Sequence, residues 1–173
     1  MANNCYNYIE ITGDKKQLKK LIKDLVPESD VYINLCHKYG KGKRDAKWFD
    51  TDVNVGVGEI FISGDSAWCP SLELFTSISG KFPKLTIKYS YEEMGNDFSG
   101  WADIANGICN DNIFPYWEGI IARDGESVAL AEVLENELEC YDTEEELIES
   151  KMYSSFGEES RLEILDNYKI INE

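Results

Sequence analysis

"KLTIKYSYEEMGNDFSGW", residues 84–101, alternates, turns and alternates again. Leu85, Ile87, Tyr89 and Tyr91 fall on one side of an extended chain; Thr86, Lys88, Ser90 and Glu92 fall on the other. Period two with β-branched and aromatic residues predicts a half-buried strand. "MGND" interrupts the pattern, and Phe98, Gly100, Ala102 and Ile104 resume it. Two strands around a short polar break read as a β-hairpin, with Gly95 and Asn96 expected to supply the positive φ angles of its turn.

Upstream, "CYNYIEIT" (5–12) alternates in the same way, with Cys5, Asn7, Ile9 and Ile11 opposite Tyr6, Tyr8 and Glu10. Asp14 is placed to cap a helix in which Leu18, Leu21, Ile22 and Leu25 form one apolar stripe and the lysines turn to water. "DVNVGVGEIFIS" (52–63) is β-rich, and Gly56-Val57-Gly58 marks a bend between two strands or a bulge in one. Pro70 opens a second helical stretch with Leu72, Phe75 and Ile78 on one face. The order β-α-β-(β)-α-β-β predicts an α+β fold, a ferredoxin-like split βαβ sandwich over residues 1–107: an antiparallel sheet with two helices on one face. Residues 108–173 read as an acidic, mainly helical C-terminal extension packed on or beside it. Within that extension, "GIIARDGESVALA" (119–131) reads as another hairpin, "LAEVLENELECY" as a helix, and Thr143 to Glu146 as a capping box.

The chain has 173 residues and a net charge of −16, divided unevenly. Residues 1–88 carry 13 Lys/Arg and 11 Asp/Glu (+2), whereas residues 89–173 carry 4 and 22 (−18). A field of that sign repels phosphate, so direct nucleic-acid binding is not expected. No apolar run approaches a membrane span, and "MANNCYNYIEITG" lacks the form of a signal peptide; a soluble, cytoplasmic protein is expected. Five scattered cysteines without a CxxC pair argue against a disulfide framework or a structural zinc site. The one histidine, His37, adjoins Cys36, and neighbouring side chains diverge, so a Cys–His pair is not expected. No cofactor motif and no metal-ligand spacing is present; "GKGK" (40–43) departs from the phosphate-loop pattern.

Four short motifs occur in order: Asn4-Cys5-x-Asn7, Lys47-Trp48-x-Asp50, Ala67-Trp68-x-Pro70, and Tyr91-x-Glu93-x-Gly95-x-Asp97-Phe98-x-Gly100. Over residues 2–107 they resemble the YubB-like ferredoxin-fold family, domains of unknown function carried by phages, plasmids and other mobile elements. Asn4 stands where that family has tryptophan, and Phe49 is inserted between Trp48 and Asp50. The resemblance implies the ferredoxin-like fold and a mobile-element setting.

The sharpest functional feature is the acidic third. Glu144, Glu145, Glu146 and Glu149 on one helix, with Glu158, Glu159 and Glu163 on the next element, imitate the charge density of nucleic acid. The expected function is a non-enzymatic interaction protein that binds and inhibits a basic host protein, such as a nuclease or another nucleic-acid-binding defence effector. The alternative is a ligand-binding protein or enzyme built on the hairpin, with Trp68, Glu93, Asp97 and Trp101 as its site. Lys41, Lys43, Arg44 and Lys47 form a basic loop suited to docking or to solvent alone. An exposed sheet edge would also allow a homodimer.

Overall fold

The computed structural model describes residues 4–25, 38–40 and 48–172, without the side chains of Phe49 and Asp50. The basic loop residues Lys41, Lys43, Arg44 and Lys47, and the pair Cys36 and His37, lie outside the described residues. The chain forms two compact units, Met1–Ile113 and Phe114–Glu173.

The first unit runs β1 (Asn4–Gly13), α1 (Lys15–Leu25), β2 (Trp48–Val55), β3 (Glu59–Ala67), α2 (Leu72–Lys81), β4 (Leu85–Glu93), β5 (Phe98–Ala105) and β6 (Ile108–Phe114). The sheet order is β2-β3-β1-β4-β5-β6. The first four strands in that order make the ferredoxin-like arrangement, and the β5–β6 hairpin continues it beyond β4. The central strand β1 is antiparallel to both neighbours, from Asn4↔Ala67 to Thr12↔Glu59 on one side and from Tyr6↔Glu92 to Gly13↔Leu85 on the other. The alternation therefore sorts whole rows. Cys5, Ile9, Ile11, Ile60, Ile62, Ile87 and Tyr89 share one core with Leu18, Leu21 and Leu25 of α1 and Leu74, Phe75 and Ile78 of α2. Both helices thus cover the same sheet face, and burying these side chains out of water is the main force holding the sandwich.

The junctions follow local chemistry. Asp14 Oδ1 accepts from the Lys16 and Gln17 amides at 3.1 and 3.0 Å, so it caps α1 as its sequence position predicts. Gly13, at φ 130°, lies against the Lys84 carbonyl where a Cβ would collide. Gly56 to Gly58 form the turn between β2 and β3.

Two expectations are corrected here. The β4–β5 turn is a single 3-10 turn, Met94–Asn96, and its left-handed residue is Asp97 at φ 57°, not Gly95 or Asn96. The Glu93 carboxylate binds the amides of Gly95 and Asn96 and keeps them right-handed, which pushes the reversal to Asp97. Ile108–Phe114, assigned to the extension in the sequence, is the sixth strand of the sheet.

The second unit is helical: α3 (Tyr116–Asp124), α4 (Glu126–Asn136), a 3-10 turn (Leu138–Cys140), α5 (Glu144–Glu149), α6 (Lys151–Ser155) and α7 (Glu158–Asn172). Its own core gathers Trp117, Ile120, Val133, Leu147, Phe156 and Ile164. The expected hairpin over 119–131 is instead two helices. Gly125, at φ 93°, ends α3 by donating to the Ile121 carbonyl and starts α4 by accepting from Ala129, so "DG" here breaks a helix rather than reversing a strand. The capping box forms with a one-residue offset: Thr143 Oγ accepts from the Glu146 amide, and Glu146 reaches back to the Asp142 amide.

Gly100 of β5 is closed in by the Asn112 carbonyl and the Tyr91 hydroxyl, leaving no room for a Cβ. Gly100→Ala is expected to lower stability by roughly 1–3 kcal/mol in urea unfolding, with an unchanged slope, because it forces β4 and β6 away from β5.

Candidate functional site

The sequence motifs converge on one end of the sheet, where β1 begins and β3 and β4 end. Asn7 is fully buried there, facing the helices. Its amide nitrogen reaches the carbonyls of Cys5 and Gly64 at 2.7 and 3.0 Å and Ser66 Oγ at 2.9 Å. Its carbonyl oxygen accepts from the Tyr89 hydroxyl at 2.7 Å. That hydroxyl accepts from the Ser71 amide at 3.0 Å, and Ser71 Oγ accepts from Trp48 Nε1 at 2.8 Å. Ser66 Oγ donates to the Cys69 carbonyl at 2.7 Å. One chain of bonds therefore ties four strands to the loop 68–71 that leads into α2. Sequence patterning missed this network, since its members are brought together only by strand pairing. The motif spacing was its one visible trace.

Cys5 lies in the same layer, and burial pushes its thiol up to about 12, despite the opposing hydrogen bond to Ser66. A thiol held protonated is a poor nucleophile. The network is a scaffold, and what it presents is Trp68. That side chain is 61% exposed on a backbone at φ 76°, a left-handed conformation that costs a bulky residue energy.

Two residues of the hairpin site, Glu93 and Trp101, stand on opposite faces of the sheet. Glu93 is 2% exposed, and its carboxylate oxygens accept from Gly95 N and Asn96 N at 3.0 and 2.6 Å. Asp97 provides the left-handed C-cap of that turn. Trp101 pairs with Ser90 on the sheet face away from the helices, whereas Glu93 pairs with Phe98 on the helix side. Among the described residues there is no group of three His, Cys, Asp or Glu side chains able to hold a metal.

The open sheet face has its own character. Tyr6 and Tyr8 are 49% and 42% exposed, and Tyr8 lies 6.0 Å from Phe61 between ring centres. Glu10, Asp65 and Glu92 share that face. The alternation in "CYNYIEIT" puts the two tyrosines together; that they face outward is decided by the helices.

The acidic residues of the second unit stand in solvent. Glu145, Glu146, Glu149, Glu158, Glu159 and Glu163 are exposed, and Glu144 is half-buried, 3.7 Å from Lys169 Nζ. Residues 114–173 carry 17 Asp/Glu against 4 Lys/Arg, a net −13. Glu126 is an exception among them: it accepts from Ser160 Oγ and the Gly157 amide, and these bonds lower its pKa.

The sequence profile of the ferredoxin-like domain in Api92-like proteins matches residues 43–148. The chain belongs to this family. The Api92-like match starts ahead of β2 and runs through α5, so it takes in the β4–β5 hairpin, β6 and half of the helical unit. Among solved structures, the crystal structure of a protein api92 from Yersinia pseudotuberculosis is similar at 22% identity and a TM-score of 0.36, over 53% of this chain and 32% of that one. The chain thus spans about a third of that Api92 protein's length. No curated protein matches.

Burial and the raised thiol pKa separate Cys5 from the exposed Cys69 and Cys140. Brief alkylation of the native protein near pH 8, followed by peptide mapping, is expected to label Cys69 and Cys140 and to spare Cys5 until the chain is unfolded. Asn7→Ala removes the buried acceptor of the Tyr89 hydroxyl and a donor to the Cys5 and Gly64 carbonyls, and is expected to cost about 2–4 kcal/mol in the same unfolding assay.

Proposed function

We propose that this Api92-like chain is a non-enzymatic interaction protein that binds and blocks a basic, nucleic-acid-handling protein of a host cell. The observation that carries the reading is the set of solvent-facing carboxylates on α5 and α7. A helical scaffold holds them in place, and 17 acidic residues face 4 basic ones. Such a surface presents fixed negative charge to a groove built for phosphates, and complementary fields speed the encounter. The open sheet face adds half-exposed tyrosines beside Asp65 and Glu92, a composition that suits an arginine-rich partner through cation–π contact.

The YubB-like resemblance of the first unit supports a phage or mobile-element setting, in which the target is a nuclease or another defence effector in the cytoplasm. No helix among the described residues is long and apolar enough to cross a membrane. The hairpin reading, with Trp68, Glu93, Asp97 and Trp101 as a ligand site, is the weaker one, because the Glu93 carboxylate is already spent on the turn.

The test is a pull-down from host lysate with the tagged protein and with a Glu145→Lys/Glu149→Lys/Glu158→Lys/Glu159→Lys variant, read by mass spectrometry. The parent is expected to retain basic nucleic-acid-binding proteins at low salt and to release them at about 1 M salt, where the screening length falls to about 3 Å. The variant, folded by circular dichroism, is expected to lose them by roughly tenfold. Equal retention by both proteins would remove the acidic helices from the explanation.

A further inference from the structure

Between the second half of α1 and the end of α2 lies a cleft of about 480 Å3. Lys20, Lys23 and Asp24 line it from α1, Lys81 lines it from the end of α2, and Lys38 and Tyr39 complete it. Four lysines against one aspartate leave three positive charges in a chain whose net charge is −16.

The single carboxylate is already engaged. Asp24 binds Lys38 and the Tyr39 hydroxyl. Burial works to raise its pKa, but the hydrogen bonds from Lys38 and Tyr39 outweigh that and hold it below the usual range. Lys20 and Lys23 have no ion-pair partner among the described residues. Lys81 Nζ lies 5.1 Å from the centre of the Tyr39 ring, and Lys38 Nζ lies 5.9 Å from it, so that ring draws cations from two segments together. The preference of lysine for the last turn of a helix accounts for Lys23 and Lys81 one at a time. It does not account for four cations from three segments lining the same cleft, where the one carboxylate, Asp24, leaves most of their mutual repulsion uncompensated.

We propose that this cleft binds a small, multiply charged oxyanion of the di- or triphosphate class. The size fits a small ligand. Ammonium groups on flexible stems are point-charge donors suited to phosphate oxygens. A cleft of this volume suits a compact anion rather than a long polyanion. The argument for this cleft uses no residue of the acidic helices.

The experiment is a titration of the full chain at low salt with inorganic pyrophosphate and, separately, with ADP, by calorimetry and amide NMR. Saturable binding is expected, with shifts concentrated at residues 17–24, 38–40 and 81–82. ADP binding more tightly than pyrophosphate assigns the phosphate to a nucleotide; equal affinity assigns it to the free anion. Lys23→Glu/Lys81→Glu is expected to weaken binding by about tenfold or more. The milder Lys23→Gln/Lys81→Gln pair, which adds no new charge, guards against loss of fold. Lys15→Glu/Lys19→Glu makes the same charge change on the side of α1 that lines a different pocket, and should leave binding intact. No saturable binding of either probe to the folded protein, or equal weakening by both reversed pairs, would overturn the proposal.

Discussion

A carboxamide cut off from water must find its hydrogen bonds inside the protein, and on the central strand of this sheet that demand falls on Asn7. Its bonds reach β3 through Gly64 and Ser66 and β4 through Tyr89. They therefore fix the register of β1 against both neighbours at once. A slip of one residue would carry Asn7 to the open face and drive Tyr6 and Tyr8 into the helices. The same bonds continue through Ser71 to the loop that enters α2, so strand register and helix placement are a single decision. Apolar burial supplies the energy of the sandwich, and this polar chain supplies its uniqueness.

Much of the first unit was legible because each strand buries only one side. The alternation of Leu85 to Tyr91 and of Cys5 to Ile11 named the core residues directly, and Asp14 announced its own helix. What was lost depended on partners far away in sequence. "ICNDNIF" lacks the alternation that signals a strand, because Asn110-Asp111-Asn112 breaks its apolar residues into two pairs; it becomes one because β5 offers an edge and Asp111 binds the Tyr91 hydroxyl. The turn at Gly95 differs from its residue types because the Glu93 carboxylate holds the Gly95 and Asn96 amides, a contact that Gly and Asn preferences alone do not give. Asp124-Gly125 suits a hairpin and a helix end equally well by local rules, and the choice falls to the apolar stripe of Ile120, Ala129 and Val133 around the core of the second unit.

The candidate sites divide along the same line. Acidity is a count, so the carboxylates of α5 and α7 could be read without a structure. The lysine cleft could not, since Lys20, Lys23, Lys38 and Lys81 are spread over sixty residues and meet only when both helices lie on one sheet face. The half-exposed tyrosines of β1 were assigned to one side by their alternation, and only the placement of the helices shows that this side is the outer one.

The helical unit closes its core under a net charge of −13, and self-repulsion of that kind loosens a compact state. A polycation that binds the folded unit in preference to the unfolded chain would relieve that repulsion and stabilise the fold. A polycation would therefore act on this unit as a structural cofactor. Contact and consolidation would then be one event, and the unit's resistance to proteolysis would rise as its acidic surface is covered.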